Sequence, residues 1–391
     1  MANQNFRVII VGAGPNGLYL AHALTLAHIN FAVLEQGMSI GHQRAGLILW
    51  PYSARLLDQL GLYGHVRQLS SALHSKTEIQ ADSRILAKYP IHGYPMLPLP
   101  RNDLLNVLYQ QLPSKDIAIK LGAEVVDYKV SDHGVCMHLK DDKTVEGSIV
   151  VGANRVHSGV RKAMEMMQQK DIPRALETPI TANYKSIYAI GPNKRGIGDS
   201  LFIEIRGSGV AANLVTSPAQ LLAIFYRRLP TPTSTRTQYT VEKLDSFAES
   251  FMDFTVAPGI LFRNIWGDFN KASARLVNQE EVLLSNSAHK ITSASGLGVH
   301  VGLHSAALLA SELQKCLSST PAPNTNVLKQ DQRFRAKECQ RLSTWSYWIF
   351  DRFISRLISM DKVLVASIYP IVSNGQILSY VAFEGKSTIV P

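Results

Sequence analysis

The sequence has few cysteines, few charged residues and no long apolar run. Its 391 residues include 3 cysteines, without CxxC or metal-ligand spacing, so neither a disulfide framework nor a cysteine metal site is expected. Charged residues make up 18% of the chain and hydrophobic residues 46%, which excludes a wholly disordered protein. No uncharged apolar stretch reaches the ~18 residues of a membrane-spanning helix. The first residues of the sequence are polar, unlike those of a secretory signal. We therefore expect a cytoplasmic protein.

Excess positive charge is the other compositional feature, with a net charge of +10. No Lys/Arg-rich run with interleaved aromatic residues accompanies it, so nucleic acid is not an expected partner. An anionic membrane surface or an acidic ligand fits this charge equally well. The length suits two interleaved domains better than one small core.

The residues near the N terminus predict a strand, a glycine turn and a helix. A β-branched run at 8–11 is typical of a buried strand, and good helix formers occupy 18–27. Between them, Gly12, Gly14 and Gly17 follow the order G-x-G-x-x-G. Gly12 allows a tight turn, Gly14 lets a pyrophosphate approach the backbone, and Gly17 lets the helix pack close to the strand.

A carboxylate completes this motif. A second apolar run at 31–34 is followed by Glu35, 23 residues after Gly12. An acid at this place accepts hydrogen bonds from a ribose diol. The strand–helix–strand context therefore predicts an adenine-dinucleotide site, and the alternative is a glycine-rich turn in an unrelated α/β protein.

Four later segments carry a recognisable pattern: 44–61, the helix start Arg101-Asn-Asp-Leu-Leu, 150–161 with Gly-Ala-Asn-Arg, and 284–298 ending in Ser-Gly-Leu-Gly. They resemble the class A flavoprotein monooxygenases, the p-hydroxybenzoate-hydroxylase-like family, and its fungal secondary-metabolism members in particular. The resemblance spans nearly the whole chain. It implies that Arg101 touches the flavin of bound FAD, that Asn286 lies at the ribityl chain, and that Gly296 and Gly298 belong to the flavin motif.

The resemblance also implies the domain organisation. The expected fold is α/β, with an FAD/NAD(P)-binding Rossmann-like domain, an inserted β-rich substrate domain and a C-terminal helical segment. The flavin domain is expected to be discontinuous, over 1–75, 98–177 and 269–320, and the substrate domain to cover 178–268. Strands are predicted in that insert, with a sheet that roofs a pocket for an apolar small molecule. The expected strands are Tyr184–Ile190, Leu201–Ile205, Gly209–Val215 and Leu221–Tyr226.

Five residues at cofactor-facing positions depart from the family pattern: Asn154, Arg155, Asn286, Ser293 and His300. The family keeps Asp-Gly at the first two positions, an aspartate at the third and a proline at the fourth. An asparagine in place of the aspartate still accepts a hydrogen bond from the ribityl chain but lacks the charge that strengthens it. These changes predict weakened or lost FAD chemistry, and the alternative is an ordinary flavoenzyme that tolerates variant residues.

Two histidines and an arginine are the candidate catalytic residues. His300 and His304 are four residues apart on the expected helix after Gly298, so they share one face. A neutral imidazole exchanges a proton near pH 7, which suits acid–base catalysis. The alternative is a pair of histidines that face solvent or a packed neighbour, and a zinc site lacks an evident third ligand. The resemblance implies that Arg44 lies where substrate and flavin meet, so its guanidinium could hold a phenolate, enolate or carboxylate of the substrate; the alternative is a surface salt bridge.

The C-terminal region 329–391 is predicted to be helical. Within it, residues 345–358 separate apolar from polar positions as an amphipathic helix does. This helix is expected to pack on the flavin domain or, alternatively, to contact a membrane surface peripherally, because it carries two tryptophans with basic residues nearby.

Three functions follow from these features. The first is a biosynthetic enzyme that uses the old flavin cavity for a redox-neutral isomerisation, cyclisation or rearrangement of a terpenoid or polyketide. The second is the family's own activity, an FAD- and NAD(P)H-dependent hydroxylation or epoxidation. The third is a catalytically inert partner of another pathway enzyme.

Overall fold

A parallel sheet and a larger, mostly antiparallel sheet organise the chain in the computed structural model. The structure describes residues 6–41, 46–91, 95–131, 134–153, 181–194, 196–233, 240–269, 274–281 and 298–319. The strands are β1 (Arg7–Val11), β2 (Asn30–Leu34), β3 (Gly46–Leu49), β4 (Ser75–Gln80), β5 (Ile85–Pro90), β6 (Leu97–Pro100), β7 (Ile119–Lys120), β8 (Val125–Ser131), β9 (Gly134–Leu139), β10 (Thr144–Gly147), β11 (Ile149–Gly152), β12 (Thr181–Pro192), β13 (Leu201–Gly207), β14 (Val210–Thr216), β15 (Gln220–Thr233), β16 (Thr255–Ala257), β17 (Ile260–Leu261) and β18 (Arg275–Glu281). The helices are α1 (Pro15–Leu26), α2 (Pro51–Gln59), α3 (Tyr63–Gln68), α4 (Arg101–Gln110), α5 (Lys115–Ala118), α6 (Val241–Glu249), α7 (Phe262–Trp266) and α8 (Gly298–Ser319).

The parallel sheet has the strand order β11-β1-β2-β7. Its central strand β1 alternates its buried side chains between two layers, as a strand covered on both faces does. Val8 and Ile10 belong to a core shared with α1, α4 and α8, whereas Ile9 and Val11 pack against the antiparallel sheet β10-β9-β8, which includes Met137. The predicted dinucleotide-binding α/β fold is therefore confirmed, and this sheet with its helices is called the parallel-sheet unit below.

The larger sheet has seven strands in the order β18-β12-β15-β14-β13-β4-β5. Its neighbouring strands are antiparallel except for the parallel pair β4 and β13. One face packs against α6 and α7 through a cluster of aromatic rings that includes Phe225, Phe251, Phe262 and Trp266. All four strands predicted within 178–268 are present, and this sheet is called the roof sheet below.

The membership of the roof sheet differs from the predicted domain boundaries. β18 lies within 269–320, which the sequence assigns to the flavin domain, yet it pairs with β12. β4 and β5, over 75–90, precede the expected insert and form the other edge of the same sheet. Pairing between strands so distant in the chain depends on tertiary packing, which local patterns do not reveal.

The predicted C-terminal region 329–391, including the amphipathic segment 345–358, lies outside the described residues. Within the part of the chain that the structure covers, no helix is long and apolar enough to span a membrane.

Candidate functional site

The glycine turn joins β1 to α1 at the carboxyl edge of the parallel sheet. Gly12 has a φ of +110°, a conformation that side chains other than glycine rarely adopt. A Cβ at Gly17 would overlap the carbonyl oxygen of Gly12, so this glycine permits the close approach of helix and turn. α1 begins at Pro15, three residues before the predicted start, because proline suits the first turn of a helix. No side chain among the described residues caps this N-terminus, so its N–H groups can bind an anion.

Glu35 is fixed beside this turn. One oxygen of its carboxylate, Oε2, accepts a hydrogen bond from the backbone N–H of Ala13 at 2.8 Å, and Oε1 accepts one from the N–H of Gly37 at 2.9 Å. A carboxylate has about four lone-pair sites, so both oxygens retain acceptor capacity. Glu35 therefore stands ready to accept hydrogen bonds from a ribose diol at the end of β2.

Arg101 completes the polar end of the site. It is the first residue of α4, and one of its terminal nitrogens lies 3.8 Å from the place that a Cβ of Gly14 would occupy. The guanidinium thus stands against the glycine turn, where its fixed charge and paired N–H groups suit phosphate oxygens. The structure therefore brings Gly12, Gly14, Glu35 and Arg101 together at one end of the parallel sheet.

α8 packs against the same turn. It begins at Gly298, and a Cβ at Gly302 would overlap the side chain of Asn16 in α1. Sequence reasoning missed this contact, because Gly302 has no place in the glycine motif and Asn16 is one of its variable positions. The close approach of α1 and α8 positions the first turn of α8 near the carboxyl edge of β1.

His300 is buried rather than directed to solvent. It is 1% exposed, its Nδ1 lies 2.6 Å from the hydroxyl of Ser53, and the rings of Tyr52 and Trp50 lie 5.3 and 6.1 Å away. Burial and, to a smaller extent, the neighbouring His304 lower the pKa of His300 to about 3, against a backbone hydrogen bond to Ile48 that raises it. The imidazole is therefore neutral at pH 7.

His304 lies on the same face of α8, as the four-residue spacing predicts. Its ring is 5.4 Å from Tyr52, and burial lowers its pKa to about 4. The acid–base hypothesis for His300 and His304 depends on imidazoles that exchange protons near pH 7. Burial lowers both pKa values far below 7, so neither imidazole meets that condition. The surroundings of the two rings match the alternative, in which both histidines pack against neighbouring side chains. No cluster of three His, Cys, Asp or Glu side chains able to hold a metal occurs within the described ranges.

The aromatic partners of these histidines reach the roof sheet. Trp50 packs with a hydrophobic cluster that joins β3 and the start of α2 to the roof sheet, which we call the junction cluster. Its buried members are Leu73, Met96, Val215 and Leu222, with Ile48, Trp50, Ile91, Ile190 and Phe202 packed against them. The sequence offers no specific signal for this cluster, because its residues come from segments far apart in the chain.

Four charged side chains form an ion network on the roof sheet. Lys76 Nζ lies 2.8 Å from Glu78 Oε1 and 2.6 Å from Glu204 Oε2, and an Arg206 terminal nitrogen lies 3.3 and 3.1 Å from the same two carboxylates. Burial opposes ionisation of Glu204, but Lys76 and Arg206 outweigh it and hold the pKa of Glu204 below its usual range. Lys76 and Glu78 are buried and Glu204 and Arg206 half-buried, and the formal charges of the network sum to zero.

A cavity of about 390 Å³ opens elsewhere, between the start of α4 and the turn from β14 to β15. Its lining includes Ser70, Pro98, Asp103 and Ser217. Burial raises the pKa of Asp103. The cavity lining contains none of the residues predicted for the cofactor or for catalysis.

Several predicted residues lie outside the described part of the chain. They are Arg44, Asn154, Arg155, Asn286, Ser293 and Gly296. The proposed anion-binding role of Arg44 and the cofactor contacts of the others remain predictions.

Comparison with known sequences indicates a dinucleotide-binding protein, as the geometry of the site does. Residues 5–326 match the family model described as FAD binding domain. The chain is 33% identical over 445 residues to the FAD-dependent monooxygenase srdH of Neurospora crassa, covering 99% of this chain and 98% of the relative. It is 28% identical to the FAD-dependent monooxygenase ausM of Penicillium brasilianum, covering 92% and 81%.

Solved structures share the fold. Klebsiella pneumoniae HpxO complexed with FAD and uric acid superposes with a TM-score of 0.73 at 16% identity, covering 96% of this chain and 95% of that one. CtdE in complex with FAD and its substrate superposes with a TM-score of 0.76 at 13% identity, covering 96% and 100%.

Proposed function

The chain belongs to the class A flavoprotein monooxygenases of fungal secondary metabolism, and on that premise we propose that it is an active FAD-dependent monooxygenase that uses NAD(P)H and acts on an apolar small molecule. The observation that carries the proposal is the convergence of the glycine turn, Glu35 and Arg101 at one edge of the parallel sheet. This convergence retains the phosphate- and ribose-binding chemistry that the cofactor requires.

The described residues fit the adenosine diphosphate half of FAD. The uncapped N-terminus of α1 and the Arg101 guanidinium would bind the pyrophosphate, because both present N–H donors beside Gly14. Glu35 would bind the ribose, since its carboxylate is already oriented by two backbone N–H groups. When bound, FAD supplies the redox chemistry that activates oxygen.

The other residues of the site have two roles in this proposal. They hold the elements of the site in place, and they keep water away from the reacting groups. The hydrogen bond between Ser53 and His300 joins the start of α2 to the start of α8. The junction cluster, with Leu222 and Trp50 packed together, would exclude water between the start of α2 and the roof sheet. In this proposal His300 is a positioning residue, and its neutral ring keeps a buried charge away from the site.

The test is to purify the full chain and measure bound flavin and NAD(P)H oxidation. We expect a yellow protein with near-stoichiometric FAD and NAD(P)H oxidation that substrate stimulates. Glu35→Ala and Arg101→Ala should each weaken FAD affinity about tenfold, because each removes a charge-assisted hydrogen bond. Lys140→Ala is the control, since Lys140 pairs with Glu124 on the surface and should leave FAD affinity unchanged.

A redox-neutral isomerase or cyclase is the second candidate, and the departures from the family motif at Asn154, Arg155 and Asn286 favour it. The low pKa values of His300 and His304 weigh against these residues as its acid and base. Arg44 remains available to hold an oxyanion. A colourless protein that turns over substrate without NAD(P)H and oxygen would establish this alternative and reject the monooxygenase.

A further inference from the structure

The cavity at the start of α4 takes no part in the proposed function. Its volume of about 390 Å³ falls within the range that is typical of small-molecule sites. The end of α3, the first turn of α4 and the turn from β14 to β15 surround it, so segments far apart in the chain build its walls. Its lining includes neither the glycine turn nor Glu35 nor Arg101. The cavity is therefore distinct from the expected pyrophosphate and ribose sites.

The buried part of the cavity lining is mostly apolar. Val215 and Leu222 line the cavity and are also buried members of the junction cluster, which fixes their positions. Pro98 is buried beside them, and Pro100 at the start of α4 is half-buried. The inner surface of the cavity therefore suits the hydrocarbon part of a ligand.

The less exposed hydroxyl groups of the lining are already bonded to the backbone. Ser70 donates to the carbonyl oxygen of Pro98 at 2.6 Å, and Thr216 accepts from a backbone N–H at 3.0 Å. Ser217 donates to the carbonyl oxygen of Gln220 at 3.3 Å and accepts from the N–H of the same residue at 3.0 Å. A serine hydroxyl has a single O–H donor, so the donors of Ser70 and Ser217 are already used.

Asp103 is the acidic group of the cavity wall. It lies half-buried in the first turn of α4, and its carboxylate has no hydrogen bond or ion pair within the part of the chain that the structure describes. Burial without a compensating donor raises the pKa of Asp103. An ionised carboxylate only accepts hydrogen bonds, so all of its acceptor sites are open to a ligand that donates.

No cation of the lining balances the charge of Asp103, because none of the lining residues is Lys, Arg or His. Arg67, in α3, donates to the carbonyl oxygen of Ser70 at 2.6 Å and forms no ion pair among the described residues. The guanidinium of Arg101 stands against Gly14 instead. A phosphate or carboxylate in the cavity would therefore meet a negative charge, whereas an ammonium group would neutralise that charge.

We propose that this cavity binds an organic ammonium ion. The N–H groups of the ligand donate to the Asp103 carboxylate, and its hydrocarbon part lies on Val215 and Leu222. The same chemistry has two sources, an amine function of the substrate or a separate amine that binds beside the cofactor site. Binding alone defines the site, so the inference goes beyond the proposed function and does not depend on it.

The test is a ligand-observed NMR titration of the full-length protein with three probes that share a phenylethyl body: phenethylamine, phenethyl alcohol and hydrocinnamate. At pH 7 the amine is positively charged, the alcohol neutral and the acid negatively charged. We expect the amine to bind about fivefold more tightly than the alcohol and the acid to bind most weakly. Solvent weakens a charge-assisted hydrogen bond to a half-buried carboxylate, which limits the preference to this size.

Two variants and a matched control locate the ligand. Asp103→Asn removes the charge at constant size and should reduce the preference for the amine to below about twofold. Ala219→Phe places a ring at the exposed rim of the cavity without changing α4, so it should weaken binding of amine and alcohol alike by at least about threefold. Asp141→Asn is the control, because Asp141 pairs with Lys143 outside the cavity lining and its loss should leave the preference unchanged.

Three outcomes would overturn the proposal. One is an equal preference for the amine in the wild type and in Asp103→Asn. Another is acid that binds as tightly as the amine, or no binding of the amine. The third is unchanged amine binding in Ala219→Phe, which would place the ligand outside this cavity.

Turnover distinguishes the two sources of the amine. Conversion of phenethylamine in the presence of NAD(P)H and oxygen identifies the bound amine as the substrate, whereas binding without conversion identifies a separate amine ligand. Either result supports the cavity site. A colourless protein that still prefers the amine would reject the monooxygenase while supporting the site.

Discussion

At the scale of single residues, burial determines what the two histidines of α8 do. The spacing of His300 and His304 predicts a shared face, and both rings do lie near Tyr52. The same sequence pattern does not reveal that the face packs against α2. Because burial penalises the charged imidazole, these histidines stay neutral well below pH 7.

This burial predicts a stability that falls with acid. The unfolded chain takes up a proton on His300 below about pH 6.5, whereas the folded state does so only near pH 3. The free energy of unfolding should therefore fall by about 2 kcal/mol between pH 7 and pH 5 from this residue alone. His300→Asn keeps a hydrogen-bonding group opposite Ser53 without the titration, so its urea unfolding should change less over this range. Equal losses in the two proteins would contradict the prediction.

At the scale of elements, the glycine motif is local and the packing of its helix is not. The turn from β1 to α1 forms where the sequence predicts it, because Gly12 and Gly17 meet the steric needs of that turn directly. The contact between α1 and α8 joins residues nearly three hundred positions apart and requires a missing side chain at Gly302. No local pattern distinguishes this glycine from others in helices.

Gly302→Ala should destabilise the protein through this contact. The new Cβ displaces the end of the Asn16 side chain at a cost of about 1–3 kcal/mol, which the ~1 kcal/mol advantage of alanine over glycine within a helix offsets in part. Asn16→Ala in the same chain should restore most of the loss, and bound FAD should follow the same order in a fluorescence titration. Gly64→Ala is the control, because Gly64 in α3 has open space around it and should be neutral or stabilising. Similar melting temperatures for the two alanine variants would rule out the packing role of Gly302.

At the scale of the whole molecule, the ion network joins two distant segments of the roof sheet. Lys76 and Glu78 lie on β4, whereas Glu204 and Arg206 lie on β13, its parallel neighbour. Because each carboxylate contacts both cations, removing one member leaves the network with a net charge that is only partly compensated. The network therefore fixes the residues before the predicted insert to the insert itself.

Lys76→Met should lower the free energy of unfolding by about 3–5 kcal/mol, because Glu204 then loses its nearest cation. In Lys76→Met two carboxylates share the single cation Arg206, so adding Glu204→Gln removes the excess negative charge and leaves the pair of Glu78 and Arg206 in place, and at least half of the stability should return. Urea unfolding at pH 7 measures both effects. A double variant no more stable than Lys76→Met would show that the network does not act as one unit.

The sequence by itself determined the dinucleotide-binding motif, the family resemblance, the four central strands of the roof sheet and the convergence of Glu35 with the glycine turn. These features depend on neighbours in the chain, so periodicity and spacing carry them. Only the tertiary structure decided that His300 is buried against Ser53, that β4 and β18 join the roof sheet, and that an ion network ties β4 to β13. Each of these depends on register and burial between distant segments, which no local pattern encodes.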